Sequence, residues 1–199
     1  MNTEIIGRFS SRKVIVIGDI MLDKYVCGTV NRISPEAPVQ IVDVKKEDYV
    51  LGGAANTANN IAALGASVVL VGIIGDDEPG RLVSALLRGK KITNELIKSS
   101  SKPTIQKIRI MAQNQQLLRI DYETKEDVDP KTEAALLKNI KSHDADMIII
   151  SDYMKGTITK NLAKEIPKLG KLVVVDPKSR GEGFYSKVTL MTPNNKEVC

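Results

Sequence analysis

Short apolar runs rich in β-branched residues recur along this chain and restrict its fold more than any other feature. They occupy residues 13–18, 67–73, 147–151 and 171–176. Runs of this kind are typical of strands buried on both faces of a parallel sheet. Helical patterns lie between them at 54–64, 79–89, 130–142 and 159–169. This alternation predicts an α/β fold in which helices cover both faces of an open, mostly parallel sheet.

Two segments interrupt the alternation and predict a second, smaller sheet. The first contains Pro35 and Pro38 and then a partly alternating run, and the second resembles a hairpin that turns at Asn114-Gln115. Neither face of the hairpin is purely apolar, and strands with mixed faces suit a small sheet that stands off the main body. We therefore expect a β lid formed by 24–50 and 103–123, over a core formed by 1–23, 51–102 and 124–199.

Composition argues against several classes of protein. The net charge of +5 is dispersed, and the chain has no Trp, two Phe and five Tyr, which disfavours nucleic-acid binding. No apolar run approaches the roughly 18 to 20 residues that span a membrane, and the N-terminus lacks the order of a signal peptide, so we expect no membrane partner and a cytoplasmic protein. One histidine, His143, and the distant Cys27 and Cys199 cannot form a metal site, and we expect His143 to be solvated at the end of a helix.

Residues 51–60 combine two adjacent glycines with small residues and amides at the start of a predicted helix. Gly52 and Gly53 can adopt positive φ and let a ligand approach the backbone closely. The N–H groups at a helix start can also meet a polar or anionic ligand. The same residues fit a tight turn before a close-packed helix, and both interpretations stay open at this point.

Polar residues follow several of the predicted strands, at the edge where open α/β sheets bind ligands. Asp19 and Asp23 come directly after the first strand, and two carboxylates at this spacing suit the hydroxyls of a polyol. The alternative is that Asp19 caps a turn and Asp23 is solvated. Asp152 and Lys155 follow a later strand, where the lysine could hold a phosphate or both could serve only to cap and solvate the loop.

Two further polar groups fit helix caps. Asp77 precedes Pro79 and is predicted to be an N-cap. Asn194 and Glu197 have the spacing of a capping box, although Glu197 also suits a place beside Mg²⁺-bound phosphates. The sequence contains no G-x-x-x-x-G-K-[ST], G-x-G-x-x-G or G-x-S-x-G motif, which disfavours P-loop, dinucleotide-binding and α/β-hydrolase mechanisms.

Taken together, five motifs resemble the ribokinase (phosphofructokinase B) family of sugar kinases. They are Gly18-Asp-Ile-Met-Leu-Asp23, Gly52-Gly-Ala-Ala-Asn56, Ser151-Asp-Tyr-Met-Lys-Gly156, Asp176-Pro-Lys178 and Asn194-Asn-Lys-Glu197. Segments 32–38 and 114–121 are similar to the branch that phosphorylates heptose 7-phosphate. The resemblance implies a ribokinase-like fold, transfer of the γ-phosphoryl group of ATP with Mg²⁺ to the anomeric hydroxyl of a sugar phosphate, and a homodimer through the lid.

The resemblance also implies roles for individual residues. Those that would bind sugar hydroxyls are Asp19, Asp23, Gly52, Gly53 and Asn56. Those that would meet the sugar phosphate are Arg109, Lys155 or Lys178. Those that would bind ATP are Lys178, Asn194 and Glu197, with Glu197 reaching Mg²⁺ through water.

The family's Gly-Ala-Gly-Asp motif, which supplies an anion hole and the general base, does not occur in this sequence. The resemblance therefore implies a C-terminally truncated kinase fold whose general base lies beyond residue 199, with no catalytic residue among these 199 and no appreciable kinase activity. The alternative is a non-catalytic module that binds a sugar phosphate or regulates a partner.

Overall fold

The main sheet contains six parallel strands within residues 7–178 and 183–197, which the computed structural model describes. They are β1 (Lys13–Gly18), β4 (Ser67–Gly75), β5 (Ile92–Ser99), β8 (Met147–Ser151), β9 (Leu172–Asp176) and β10 (Leu190–Met191). Their order across the sheet is β10-β9-β8-β1-β4-β5. Because every neighbouring pair is parallel, the carboxyl ends of all these strands lie at one edge.

Helices pack on both faces of this sheet. On one face lie α1 (Gly53–Ala63) and α2 (Glu78–Leu87), and on the other lie α3 (Pro130–Lys141) and α4 (Lys160–Glu165). Alternate residues of β1 contribute to the two cores, since Val16 packs with α1 while Ile17 packs with α3 and α4. The predicted α/β class is therefore confirmed.

A separate four-stranded sheet forms the lid. Its strands are β2 (Ile20–Ile33), β3 (Gln40–Gly52), β6 (Ile105–Ala112) and β7 (Gln115–Tyr122), in the order β3-β2-β6-β7. β2 pairs with β3 and β6 pairs with β7 in antiparallel fashion, whereas β2 and β6 are parallel. The lid strand β2 begins at Ile20, within the segment assigned to the core, so the division of the chain into core and lid stays a prediction.

Two local expectations differ from the structure. The turn of the lid hairpin is formed by Gln113 and Asn114, not by Asn114 and Gln115, and both turn residues have positive φ, 50° and 64°. Positive φ at both central residues is the geometry of a type I′ hairpin turn, which matches the twist of the strands. β5 was not predicted as a strand because it lies at the edge of the sheet, where a half-exposed strand lacks a continuous apolar run.

His143 is less solvated than its sequence context indicates. It follows α3, is half-buried, and its Nε2 lies 2.9 Å from Oε1 of Glu95 on β5. The contact joins the end of α3 to the edge strand, so His143 lies near the end of a helix as expected, but its side chain is only partly solvated, with 27% exposed.

Asp77 caps α2, as predicted. Its carboxylate accepts a hydrogen bond from the Gly80 N–H at 2.9 Å, and it also accepts from the Thr104 N–H at 2.8 Å and the Thr104 hydroxyl at 2.6 Å. Burial opposes ionisation, but the hydrogen bonds from Thr104 and Gly80 outweigh it and lower the pKa of Asp77. Since Thr104 directly precedes β6, this carboxylate also fixes the point where the lid hairpin leaves the core.

Candidate functional site

The candidate site lies where the carboxyl ends of the main strands meet the lid. Asp19 follows β1, the loop 152–157 follows β8, and Asp176 ends β9. The lid strand β2 begins directly after Asp19 and pairs with β6, so that Asp23 on β2 lies opposite Lys107 on β6. The edge of the sheet that the sequence indicates is therefore the edge that the lid meets.

Asp19 is fully buried beneath the site. Its carboxylate accepts hydrogen bonds from three backbone N–H groups of the loop, those of Tyr153 at 2.7 Å, Lys155 at 3.2 Å and Thr157 at 3.2 Å. Burial raises the pKa of Asp19, and the negative charge of Asp152 adds to that effect. These hydrogen bonds show that Asp19 fixes the conformation of the loop. Its contact with sugar hydroxyls stays a prediction.

Gly52 and Gly53 let the start of α1 approach both aspartates. The Ala54 N–H donates to the main-chain carbonyl of Asp19 at 2.9 Å. Gly53 has a φ of +54°, and a Cβ there would lie 2.2 Å from that same carbonyl oxygen. A Cβ at Gly52 would lie 2.5 Å from an Asp23 carboxylate oxygen. The close-packed turn proposed as one interpretation is thus present, and the ligand interpretation of these glycines and of exposed Asn56 stays a prediction.

Asp23 forms an ion pair with Arg109 on the face of the lid that carries Lys107. The guanidinium of Arg109 donates to the Asp23 carboxylate and lies 5.3 Å from the centre of the Tyr25 ring. Both charged side chains are about four-fifths buried, with exposed fractions of 22% and 18%. The Asp23 carboxylate raises the pKa of Arg109. The structure therefore brings these two predicted site residues together across β2 and β6.

Two lysines share a carboxylate where the lid returns to the core. Nζ of Lys155 lies 2.6 Å from Glu123, and Nζ of Lys107 lies 3.4 Å from Glu123 and 3.0 Å from Asp121. Burial acts to raise the pKa of Glu123, but the hydrogen bond with Lys155 and the charge of Lys107 lower it. Lys155 was among the predicted site residues, whereas Lys107 and Glu123 were not. The alternation along β6, which puts Lys107 on the same face as Arg109, is the pattern that could have indicated Lys107.

Lys178 and Glu197 form a second charged group beyond β9 and β10. Nζ of Lys178 lies 2.9 Å from Glu197 Oε1. The other oxygen of Glu197 accepts from the Asn194 N–H at 2.9 Å, and Asn194 Oδ1 accepts from the Lys196 N–H at 2.9 Å. The bond from the Asn194 N–H to Glu197 is one of the two in a capping box, while the Asn194 side chain accepts from the N–H two residues on and not three. Glu197 therefore makes the capping contacts that one sequence interpretation gave it, and its contact with Mg²⁺ stays a prediction.

Tyr153, on the loop that follows β8, lies beside Lys178. Burial raises the pKa of its phenol, and the carboxylates of Asp176, Asp23 and Glu197 add to the effect while Lys178 opposes it. Nζ of Lys178 is 5.7 Å from the centre of the Tyr153 ring. The strand-end residues from β8, β9 and β10 are thereby brought to one place with Asp23 of the lid.

The residues around Lys178 fit a nucleotide phosphate and its magnesium ion. Burial and the charge of Glu197 raise the pKa of Asp176, so two carboxylates influence one another beside an ammonium group. Mg²⁺ takes oxygen ligands and usually keeps several waters, and a lysine suits a phosphate. No three His, Cys, Asp or Glu residues of the described chain are grouped to hold a metal. A magnesium ion here would therefore be held mainly through water and phosphate oxygens.

No helix within 7–178 or 183–197 has both the length and the apolar character needed to cross a membrane.

A family model described as pfkB family carbohydrate kinase matches residues 11–198. The chain belongs to this family. Among curated proteins, this pfkB chain is 41% identical over 200 residues to the bifunctional protein HldE of Desulfatibacillum aliphaticivorans, and 43% identical over 198 residues to that of Citrifermentans bemidjiense. The matches cover 97% and 96% of this chain and 41% of each relative. The chain thus spans about two-fifths of the length of the curated relatives it matches.

Solved structures share the fold of this pfkB chain at low sequence identity. The tetrameric inhibited form of phosphofructokinase-2 from Escherichia coli is 17% identical with a TM-score of 0.74, and the match covers 94% of this chain and 62% of that one. Arabidopsis thaliana ribokinase complexed with ribose and ATP is 19% identical with a TM-score of 0.68, covering 94% and 61%. These matches confirm the predicted ribokinase-like fold.

We expect Gly53→Ala to destabilise the chain more than Gly89→Ala. Both glycines have positive φ, +54° and +75°, but a Cβ at Gly89 has nothing within 4 Å whereas one at Gly53 meets the Asp19 carbonyl. The left-handed conformation costs an alanine about 1 to 2 kcal/mol, which is the whole cost at Gly89, and Gly53 adds the clash. Urea unfolding of both variants measures the difference, and equal losses would contradict the close contact between α1 and Asp19.

Proposed function

We propose that this chain is the sugar-binding part of a carbohydrate kinase whose acceptor is D-glycero-β-D-manno-heptose 7-phosphate. The reaction would transfer the γ-phosphoryl group of ATP to the anomeric hydroxyl and give a 1,7-bisphosphate. The observation that supports this best is that an acidic and a basic subsite lie side by side where the lid meets the sheet. Asp23, paired with Arg109, forms the acidic subsite. Lys155 and Lys107, which both contact Glu123, form the basic subsite. The curated relatives support the choice of sugar, since the heptose kinase branch often forms the first domain of a bifunctional protein, and the relatives are named bifunctional.

The acidic subsite would hold the hydroxyls of the sugar. The Asp23 carboxylate can accept hydrogen bonds from two hydroxyls, and the hydrogen bond from Arg109 fixes its direction. Gly52 removes a side chain that would occupy the space against Asp23. Together these groups orient the acceptor, and orientation is a large part of phosphoryl-transfer catalysis.

The basic subsite would hold the 7-phosphate. Lys107 and Lys155 both contact Glu123, so their ammonium groups lie within reach of one anion. A phosphate that carries close to two negative charges can replace the carboxylate and bind both lysines. Arg109 lies two residues along β6 from Lys107 on the same face of the strand and extends this basic surface toward Asp23.

The nucleotide would bind beyond β9. Lys178, Asn194 and Glu197 would hold ATP, and Glu197 would orient a water on Mg²⁺. When bound, ATP supplies the phosphoryl group and Mg²⁺ neutralises the charge on its oxygens. Tyr153, next to Lys178, would lie beside the bound phosphates.

Removing the charge of Asp23 should weaken binding of the sugar phosphate. We expect Asp23→Asn to lower the affinity for heptose 7-phosphate roughly tenfold or more, because hydrogen bonds to a charged group contribute about 1.5 to 3 kcal/mol. Asp43→Asn, on β3 at the far part of the lid opposite Thr29, is the matched control and should bind as the unchanged chain does. Calorimetry with heptose 7-phosphate and with fructose 6-phosphate measures both affinity and choice of sugar. Equal affinity of Asp23→Asn and the unchanged chain would contradict the acidic subsite.

We also propose that these 199 residues bind substrates without transferring phosphoryl groups. The family's Gly-Ala-Gly-Asp motif is absent from this sequence, and the groups assigned above bind and orient but take no proton from the acceptor hydroxyl. An ATP-coupled assay of the purified chain should show no turnover above background. Turnover at an ordinary sugar-kinase rate would overturn this proposal, and calorimetry that shows sugar binding without ATP binding would favour the non-catalytic sugar-phosphate module instead.

The lid also supports the proposal of a homodimer. Leu118, Ile120 and Tyr122 of β7 are 56%, 38% and 55% exposed, and they lie on the face opposite to Lys107 and Arg109 because side chains alternate along a strand. Exposed apolar clusters of this kind mark interaction surfaces. A structure of the same fold, E. coli phosphofructokinase-2, is described as tetrameric.

A charge on this apolar face should dissociate the dimer. We expect the unchanged chain to sediment as a dimer at micromolar concentration and Ile120→Glu to sediment as a monomer, because a carboxylate buried in an apolar interface loses its hydration. Leu64→Glu, at an equally exposed leucine that ends α1 on the main body, should leave the dimer intact. A monomeric unchanged chain, or a dimeric Ile120→Glu variant, would contradict the proposal.

A further inference from the structure

Lys102 lies at the base of the lid, outside the groups assigned to substrate. Its ammonium group donates hydrogen bonds to two main-chain carbonyls, that of Glu126 and that of Lys155, the latter at 3.2 Å. Its own N–H donates to the Ser99 hydroxyl at 3.0 Å, just after β5. A lysine that donates to two carbonyls from separate parts of the chain cross-links them.

The first part that Lys102 joins is the lid hairpin. β6 begins at Ile105, three residues after Lys102, and β7 ends at Tyr122, four residues before Glu126. The bond from the ammonium group to the Glu126 carbonyl therefore closes the stem of the hairpin, where its two strands enter and leave the core. This tie is separate from the capping contact of Asp77 with Thr104, which holds the entering strand alone.

The second part is the loop 152–157, which carries Tyr153 and Lys155. Gly156 has a φ of +85°, and a Cβ there would lie 1.9 Å from the Glu126 carbonyl oxygen, so the loop rests directly against the stem. The carbonyl of Gly156 accepts from the Val128 N–H at 2.9 Å. Asp19 holds the loop by its N–H groups, and Lys102 holds it by a carbonyl from the opposite side.

The charges around Lys102 are consistent with this position. Burial lowers the pKa of its ammonium group, and the carboxylates of Glu126, Asp19 and Asp127 oppose that effect. The Asp19 carboxylate beneath the loop therefore favours the charged form of the lysine that anchors the loop.

We propose that Lys102 is a positioning residue that couples the lid hairpin to the loop carrying Lys155. It contacts the main-chain carbonyl of Lys155 and not the ammonium group assigned to the substrate, and it acts by keeping Lys155 on the loop in register with Lys107 on β6. Without the ammonium group, the loop would stay tied to the hairpin stem only through the Lys155–Glu123 ion pair and the bond from Val128 to Gly156. The two lysines of the basic subsite would then be held less firmly for one phosphate.

Hydrogen–deuterium exchange of the 199-residue chain tests the coupling without any ligand. We expect Lys102→Met to speed exchange roughly tenfold both in 153–157 and in the hairpin 105–122, because hydrogen bonds from a charged group are lost. Amides of β1 and β8 should keep their protection, and Lys102→Arg should restore most of the protection in both segments. Lys98→Met is the matched control, since Lys98 on β5 makes an exposed ion pair with Asp76 and should change neither segment.

Several outcomes would overturn the proposal. These are unchanged exchange in Lys102→Met, faster exchange in only one of the two segments, and equal acceleration in β1 and β8, which would show general destabilisation. If Lys102→Met does not fold, Lys102→Gln replaces it and the same comparison decides.

A binding measurement adds a second test, which rests on the proposed function. Affinity for heptose 7-phosphate should fall roughly tenfold in Lys102→Met, recover in Lys102→Arg and stay unchanged in Lys98→Met. If the unchanged chain does not bind this sugar phosphate, the proposed function fails while the exchange result still decides the role of Lys102. If the unchanged chain binds it and Lys102→Met binds equally well, the positioning role fails alone.

Discussion

The buried carboxylate of Asp19 is the contact on which the geometry of the site depends. Its side chain receives three N–H groups from the loop after β8, and its main-chain carbonyl receives the Ala54 N–H at the start of α1. Burying a charge is costly unless hydrogen bonds compensate, and here three backbone donors offset part of the burial that raises the pKa of Asp19. One residue at the end of β1 thereby fixes both the loop that follows the neighbouring strand β8 and the start of helix α1.

The lid depends on the same point. β1 ends at Gly18 and β2 begins at Ile20, so Asp19 is the single residue between the core strand and the lid strand. Asp23 follows four residues later. The short segment 20–22, anchored at Asp19, therefore sets the distance between Asp23 and the loop 152–157. Arg109 then reaches Asp23 from β6, which places the second lid segment as well. The face of the lid that carries Asp23 and Arg109 is therefore positioned by its attachment to the core at Asp19.

The sequence predicts the main sheet well because central parallel strands are buried on both faces and therefore show a continuous apolar run. β1 and β8 have the predicted bounds, since no solvent-exposed side interrupts their pattern. β5 was missed by the same criterion because it is an edge strand, and its run of consecutive polar residues, 93–95, does not differ from that of a loop. The hairpin turn begins one residue earlier than predicted. Gln113 adopts positive φ there, and the sequence does not indicate this because glutamine is not a residue type that favours turns.

The site is less predictable because its pairs join residues that are distant in sequence. Strand order alone points to Asp23 and Lys155, but their partners Arg109 and Glu123 lie 86 and 32 residues away and depend on how the lid meets the core. Those partners also affect the proposed selectivity. A free sugar would leave the contact between Lys155 and Glu123 intact and gain nothing from it, whereas a phosphate can displace the carboxylate and gain charge-assisted hydrogen bonds. In the proposed function, the two lysines would therefore favour a phosphorylated sugar over a neutral one, and Glu123 would hold them in place until the phosphate displaces it.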